Sequence, residues 1–174
     1  MKIKTAVVEL EAICLKFYCA AYLPQLKKYH LSISHREFTG MPLQSIEICS
    51  KDKNRHPVII DYHGSAIGYF VLHSGSGVED YSTNDFALLL RTYSIDSRYQ
   101  GMGIAKQSMK LLPAFVKQHF PEVNEIVLAV NQRNGAAQRV YTGSGFLDTG
   151  RKLMGRKGKQ LIFHMNLEAH YNLT

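Results

Sequence analysis

The sequence predicts an α/β fold built on a mixed sheet, and three stretches carry that reading. Ala87 to Leu112 reads as strand, glycine turn and helix; Val58 to His73 reads as two strands joined at Gly64-Ser65; Glu122 to Asn166 reads as strand, helix and two closing strands. The order of these elements, with a helical start before them, gives an alternation of strands and helices rather than an all-helical or all-strand chain.

Taken in order, Thr5 to Leu10 alternates weakly and is expected to form a short first strand. Ala12 to Tyr29 places Ile13, Phe17, Ala20 and Ala21 at the spacing of one helical face until Pro24 interrupts it. Ser32 to Thr39 reads as a helix start, Met41-Pro42 as a break, and Lys51 to Pro57 as a polar turn. The hairpin of Val58–Gly64 and Ala66–His73 leads to a loop over 75–84 that holds Glu79 and Asp80, with Asp85 just beyond. From Ala87 to Ile95 the residues are apolar, aromatic and β-branched, as a buried strand requires, and from Ile104 the apolar positions Met109, Leu111, Leu112, Phe115 and Val116 fall at helical spacing. Pro113 removes one hydrogen bond from that helix and predicts a kink, and Pro121 ends it. Glu122 to Val130 is a further strand, Gly135 to Ser144 a short helix with Asn134 at its N-cap, and Phe146–Arg151 and Leu161–Asn166 closing strands joined by a basic connection over 152–159.

Composition sets the outer limits. The 174 residues suit one domain, residues 1–174, with a sizeable core; 45% apolar and 20% charged residues argue against a disordered or fibrous chain. No apolar run approaches a membrane span, and the amino end lacks the uninterrupted apolar stretch of a signal peptide, so a cytoplasmic protein that does not bind membranes is expected. Cys14, Cys19 and Cys49 show no metal-binding or disulfide spacing and read as three reduced thiols; no metal site is expected. The formal charge of +7 favours anionic partners.

The turn between strand and helix carries the chemistry. Gly101 and Gly103 can adopt backbone angles closed to other residues, and the helix that follows presents unpaired amides and the positive end of its dipole. Such a site suits a phosphate. The P-loop pattern and the dinucleotide fingerprint are both absent, since Lys106 stands three past Gly103. The segment Gln100-Gly101-Met102-Gly103-Ile104-Ala105 instead resembles the acyl-CoA pyrophosphate loop, Gln/Arg-x-x-Gly-x-Gly/Ala, of the GNAT superfamily of N-acetyltransferases, bacterial small-molecule amine acetyltransferases among them. Asn134-Gly-Ala-Ala137-Gln-Arg-Val-Tyr141, followed by Gly145-Phe146, is similar to that family's Asn-x-x-Ala-x-x-x-Tyr…Gly-Phe segment, so the likeness spans about Val58 to Leu167.

The resemblance implies the GNAT acyl-CoA N-acyltransferase fold, a central, mostly antiparallel twisted sheet flanked by helices and splayed at the cofactor site. It implies transfer of an acetyl group from acetyl-CoA to a primary amine, by direct attack in a ternary complex. Tyr141 resembles the family's general acid, with a ring packed between helix and sheet as the alternative use. Tyr93, Ser94 and Ile95 match positions whose backbone holds the pantetheine arm, and Gln100, Gly101, Met102, Gly103, Ile104, Ala105 and Lys106 match the pyrophosphate cradle. Arg98 and Lys106 add charge or serve as plain surface, and Asn134 contacts the pantetheine amide, caps its helix, or both. The amino-terminal region forms one wall of the acceptor pocket in that family, where Tyr18, Tyr22 and Tyr29 are candidates.

The general base is not identified by the resemblance, because Ala87 to Ile95 contains no carboxylate. Glu79, Asp80, Asp85 and His73 are the candidates, beside a relay through water and backbone carbonyls. Ser97 stands where relatives often carry proline and Gly143 where a basic residue is common. The acceptor, a small molecule or a protein amine, is therefore open: a polyamine is one alternative, with the acidic residues 79, 80 and 85 compensating the basic chain, and a regulatory domain that holds acyl-CoA without turnover is another. A nucleic-acid reading rests only on Arg151, Lys152, Arg156, Lys157 and Lys159 and is not favoured; a homodimer is left open.

Overall fold

The computed structural model describes residues 8–172. One sheet of seven strands runs in the order β1-β2-β3-β4-β5-β7-β6, with β1 at Ile13–Phe17, β2 at Arg55–Tyr62, β3 at Ser65–His73, β4 at Ala87–Ile95, β5 at Glu125–Asn131, β6 at Leu147–Gly155 and β7 at Gly158–Asn166. All neighbouring pairs are antiparallel except β4 with β5. The helices are α1 (Leu23–Leu26), α2 (Ile33–Arg36), α3 (Pro42–Cys49), α4 (Ile104–His119), α5 (Gly135–Thr142) and α6 (Leu167–Asn172). Among the described residues no helix is long and apolar enough to cross a membrane.

The β2–β3 hairpin turns on His63 and Gly64, both left-handed at φ 49° and 82°, as the tight turn that matches strand twist requires. Its buried Asp61 accepts from Tyr22 Oη at 2.6 Å, Lys16 Nζ at 3.1 Å and Gly64 N at 3.1 Å, which fastens β1 and the turn before α1 to the hairpin. One face of the sheet packs on α4 and α5 through Phe70, Leu88, Leu90, Met109, Leu112 and Phe146, all buried. The other face packs on the α1–α3 region through Tyr22, Leu26, Tyr29, Leu31 and Tyr69.

Several expected elements change. The helix read over Ala12–Tyr29 is instead strand β1, a 3₁₀ turn at Ala20–Tyr22 and the short α1. Ile13 and Phe17 lie four apart, which is close to one helical turn but also two full strand periods, so the spacing supports both. Phe17 packs its ring on Phe115 of α4 at 5.1 Å. Of the first strand read at Thr5–Leu10, residues 5–7 lie outside the described residues and Leu10 opens a 3₁₀ turn. Met41-Pro42 is the start of α3, where proline fits because that amide has no helical acceptor. The basic connection over 152–159 is strand almost throughout, reversing at Arg156-Lys157; β6 is an exposed edge, where polar side chains do not oppose strand formation. Helix α4 continues through the buried Pro113.

The three cysteines are free, Cys14 half-buried, Cys19 exposed and Cys49 buried. Burial pushes the thiols of Cys14 and Cys49 above their ordinary range, which disfavours the nucleophilic thiolate.

Candidate active site

Strands β4 and β5 part at the point where the chemistry-bearing residues begin. Their parallel register runs from Ala87↔Glu125 to Leu90↔Leu128 and stops, leaving Arg91–Ile95 and the end of β5 unpaired with each other. On the opposite edge, β3 pairs Tyr69 with Ser94 but Val71 with Arg91, so β4 carries one residue more than its partner. That residue is accommodated at Thr92, a left-handed, β-branched position at φ 54°. Such a bulge raises the local twist and swings the end of the strand aside. Gly68 lies opposite Ile95, where a Cβ would fall 2.9 Å from Ile95 Cδ1 and 2.6 Å from Ile60 Cδ1; its absence lets the end of β4 stay close to β3.

A cavity of about 410 Å³ fills the wedge, lined by Leu90–Ile95 of β4, Ala129–Asn131 of β5, Asn134, Ala137 and Tyr141 of the α5 region, Gly101 and Ala105, and Leu31, His35, Phe38 and Thr39 from the amino-terminal half. Asp96 N donates to Ile67 O at 3.0 Å, on the β3 side, so strand alternation turns the backbone groups of Ile95 toward the wedge. Gln100 Nε2 donates to Ile95 O from that side at 2.8 Å. Ser94 faces the other way, its Oγ 2.9 Å from Tyr29 Oη.

Past β4 the chain makes a 3₁₀ turn, Ser97–Tyr99, capped by Asp96, and then passes Gly101 and Gly103 at φ 75° and 80°. A Cβ on Gly101 would meet nothing within 4 Å, so the backbone there is open to a ligand. Gln107 N makes the first backbone bond of α4, to Gly103 O at 3.0 Å. The amides of Ile104, Ala105 and Lys106 precede it and have no helical acceptor, nor do those of Gly101 to Gly103 find one among the described residues. The side chains of Ile104 and Met102 pack into the core, leaving only backbone and the exposed Lys106 toward solvent.

Arg98 is committed elsewhere: Nη2 donates to Asp96 Oδ2 at 2.7 Å and Nε to Oδ1 at 2.9 Å, so its charge is matched by a buried carboxylate rather than offered to the glycine turn. Ser97, the departure from proline, also has a use. Its N donates to His30 O at 2.8 Å and its Oγ accepts from Ser32 N at 3.1 Å, docking the segment before α2 onto the end of β4.

Tyr141 is buried on α5, its ring edge-on to Tyr93 and Phe146 at centroid distances of 6.3 and 5.8 Å. Its hydroxyl has no hydrogen-bond partner among the described residues, and burial pushes its pKa well above the ordinary tyrosine value. Tyr93 Oη, by contrast, is held 2.7 Å from Ser108 Oγ on α4. Asn134 Oδ1 accepts from Ala137 N at 3.1 Å, so it caps α5, and the residue also lines the cavity.

None of the four candidate bases lines the cavity. His73 sits behind β4, Nε2 3.3 Å from Asp52 Oδ2 and Nδ1 3.1 Å from Arg91 Nη1; burial, with the charges of Arg55 and Arg91, lowers its pKa. The segment holding Glu79 and Asp80 packs by Val78 on Ala87 and Leu89 at the entry of β4, and the carbonyls of Asp80 and Tyr81 accept from Arg151. Tyr18, Tyr22 and Tyr29 likewise stay outside the lining. The wall is formed instead by α2 and the connection to α3, and it brings in a residue that the sequence reading passed over. His35 lines the cavity, with Nδ1 2.6 Å from Ser32 Oγ, the cap of α2. Thr39 Oγ1, also in the lining residues, is buried with no partner.

Comparison with known proteins gives the family and the fold. The chain is 42% identical over 153 residues to the uncharacterized N-acetyltransferase YbbJ of Bacillus subtilis (strain 168), covering 87% of this chain and 96% of that one. It is 30% identical over 115 residues to the spermine/spermidine N(1)-acetyltransferase of the same organism, covering 62% of this chain and 72% of that one. In fold it is similar to the aminoglycoside acetyltransferase AAC(6')-Ib, solved with coenzyme A and kanamycin, at a TM-score of 0.74 over 92% of this chain and 98% of that one with 18% identity. The family model described as "Acetyltransferase (GNAT) family" matches residues 19–146, nearly three quarters of the sequence, and the chain belongs to that family.

Proposed function

We propose that this N-acetyltransferase takes acetyl-CoA as its donor and acetylates a primary amine by direct attack in a ternary complex. The observation that carries the proposal is the meeting of two sets of unpartnered backbone amides at one cavity: those of Gly101–Lys106 at the start of α4, and those on the unpaired side of Tyr93–Ile95. The first set suits a pyrophosphate, with Lys106 adding charge. The second suits an extended arm lying along a free strand edge, and its amides stabilise charge developing on a thioester oxygen. Asn134 supplies a side-chain amide beside them.

The acetyl thioester supplies an activated carbonyl and a thiolate leaving group. An alkylamine with a pKa of about 10.4 is almost wholly protonated at neutral pH, so a base must free its lone pair. His35 takes that role. The tautomer that donates Nδ1–H to Ser32 Oγ leaves the lone pair on Nε2 to take the proton. As the C–N bond forms and the C–S bond breaks, Tyr141 Oη gives its proton to the departing sulfur; burial keeps that phenol protonated until it is needed. Arg98 acts through Asp96 as a positioning residue for the turn. The reduced thiols fit a cytoplasmic location.

The test is free-thiol release from acetyl-CoA with a panel of amines, run beside calorimetric binding of coenzyme A. Amine-dependent release supports transfer; binding with no release for any amine supports a regulatory domain that holds the coenzyme without turnover. Under the same assay His35→Gln is expected to lower kcat about a hundredfold, the low end of what a placed base contributes, with coenzyme binding unchanged. An unaltered kcat would return the proton to water and backbone carbonyls.

A further inference from the structure

We infer that the acceptor is a primary amine on an anionic, carboxylate-bearing molecule and not a polycation; this rests on the acetyl-transfer reading above. Among the residues lining the cavity there is no Asp or Glu. Residues 1–7 and 173–174 contain no Asp or Glu. Several acids are already matched, Asp96 by Arg98, Asp61 by Lys16 and Tyr22, and Asp52 by Arg55 and His73, while Glu37, next to the lining residue Phe38, is exposed and stands beside Arg36.

Cations gather where the acceptor enters. Lys157, at the tip of the β6–β7 hairpin, donates from Nζ to Arg36 O, bringing its ammonium to the end of α2. Arg36 is exposed and its Nε donates to Leu31 O, a residue of the cavity wall, at 2.9 Å. Thr39 Oγ1 adds a buried hydroxyl whose hydrogen-bonding capacity is unused. Coenzyme phosphates do not account for these groups, since the turn at 101–106 and Lys106 serve them. A carboxylate finds a hydroxyl donor and the Lys157 and Arg36 charges here, whereas an ammonium of a polyamine meets those charges with no carboxylate among the lining residues to replace its water. Similarity to a spermine/spermidine acetyltransferase therefore does not carry its substrate over to this chain.

The experiment measures kcat/KM by thiol release for L-glutamate, a free-amine peptide of three glutamates, ethanolamine and spermidine, each at low and at physiological salt. The expected result is a preference of about tenfold or more for a carboxylated amine over both others at low salt, shrinking as salt rises. In the double variant Arg36→Glu/Lys157→Glu, both sites being exposed, that preference falls about tenfold while the Kd for coenzyme A is unchanged. Spermidine or ethanolamine matching the carboxylated amines at low salt, or a preference untouched by the double variant, overturns the inference and leaves acetyl transfer standing. Coenzyme binding without release for any amine overturns the transfer reading itself, and this inference with it.

Discussion

Tyr141→Phe is expected to lower kcat about a thousandfold while leaving the Kd for coenzyme A and the unfolding midpoint where they are. The ring is what packs: it meets Tyr93 and Phe146 edge-on, and phenylalanine preserves both contacts. The hydroxyl binds nothing among the described residues, so its removal leaves no buried group without a partner, which is the usual source of a stability loss. The hydroxyl is therefore absent from the folding balance and present only in the reaction, where it protonates the leaving sulfur. Because burial raises its pKa, Tyr141 stays protonated through neutral and moderately alkaline pH, and the wild-type rate should show no alkaline decline from this group below the ordinary tyrosine value of about 10. Steady-state kinetics, calorimetry and a thermal melt on the same preparation separate the outcomes. An unchanged kcat would mean that the residue is a packing tyrosine and that solvent quenches the thiolate.

What the sequence made legible was local. The strand at Ala87–Ile95 and the helix start at Ile104 fall where they were expected, because an apolar run, two glycines that must turn and a shift to helical periodicity are all written in adjacent residues. Asn134 was legible for the same reason, an N-cap three residues before the amide it accepts. The illegible parts depend on partners far away in sequence. Helix α2 has only four residues and reaches the site because Ser97 binds His30 and Ser32, over sixty positions apart, and its His35 could not be seen as a wall residue before that docking. The bulge at Thr92 rests on a left-handed threonine, a residue whose type argues against that conformation. His73 was attractive as a base by its nearness to β4 in the chain, yet its strand neighbours direct it to Asp52 and Arg91, outside the cavity. Sequence leaves Arg98 as added charge for a phosphate loop or as plain surface, and only the fold, which buries Asp96 beneath it, gives the guanidinium its partner.

That carboxylate supports the second large expectation. Asp96 is fully buried and accepts four hydrogen bonds, from His30 N at 3.1 Å and from Arg98 N, Nε and Nη2 at 2.9, 2.9 and 2.7 Å. Burial alone would raise its pKa, but the Arg98 side chain and the two backbone amides together outweigh burial and hold it below the ordinary carboxylate value. Asp96→Ala removes the cap of the turn and the tie between the end of β4 and the segment before α2. Arg98 is exposed enough to regain water, so the loss comes from the amides and the turn, and amounts to about 2 kcal/mol, or about 6 °C in Tm for a chain of this size. A depressed folded pKa stabilises above the unfolded value of about 3.9, and that stabilisation is lost as pH falls through the folded pKa. The gap between wild type and Asp96→Ala in urea unfolding should therefore be complete at neutral pH and close below about pH 4. Because the same turn aims the amides of Gly101–Lys106, coenzyme A should bind the variant about tenfold more weakly at a temperature where it is fully folded, an effect about the size of one lost charge-assisted hydrogen bond. A gap that does not change with pH would show that Asp96 acts through packing and not as a carboxylate, and unchanged coenzyme affinity would detach the turn from the cradle it is proposed to hold.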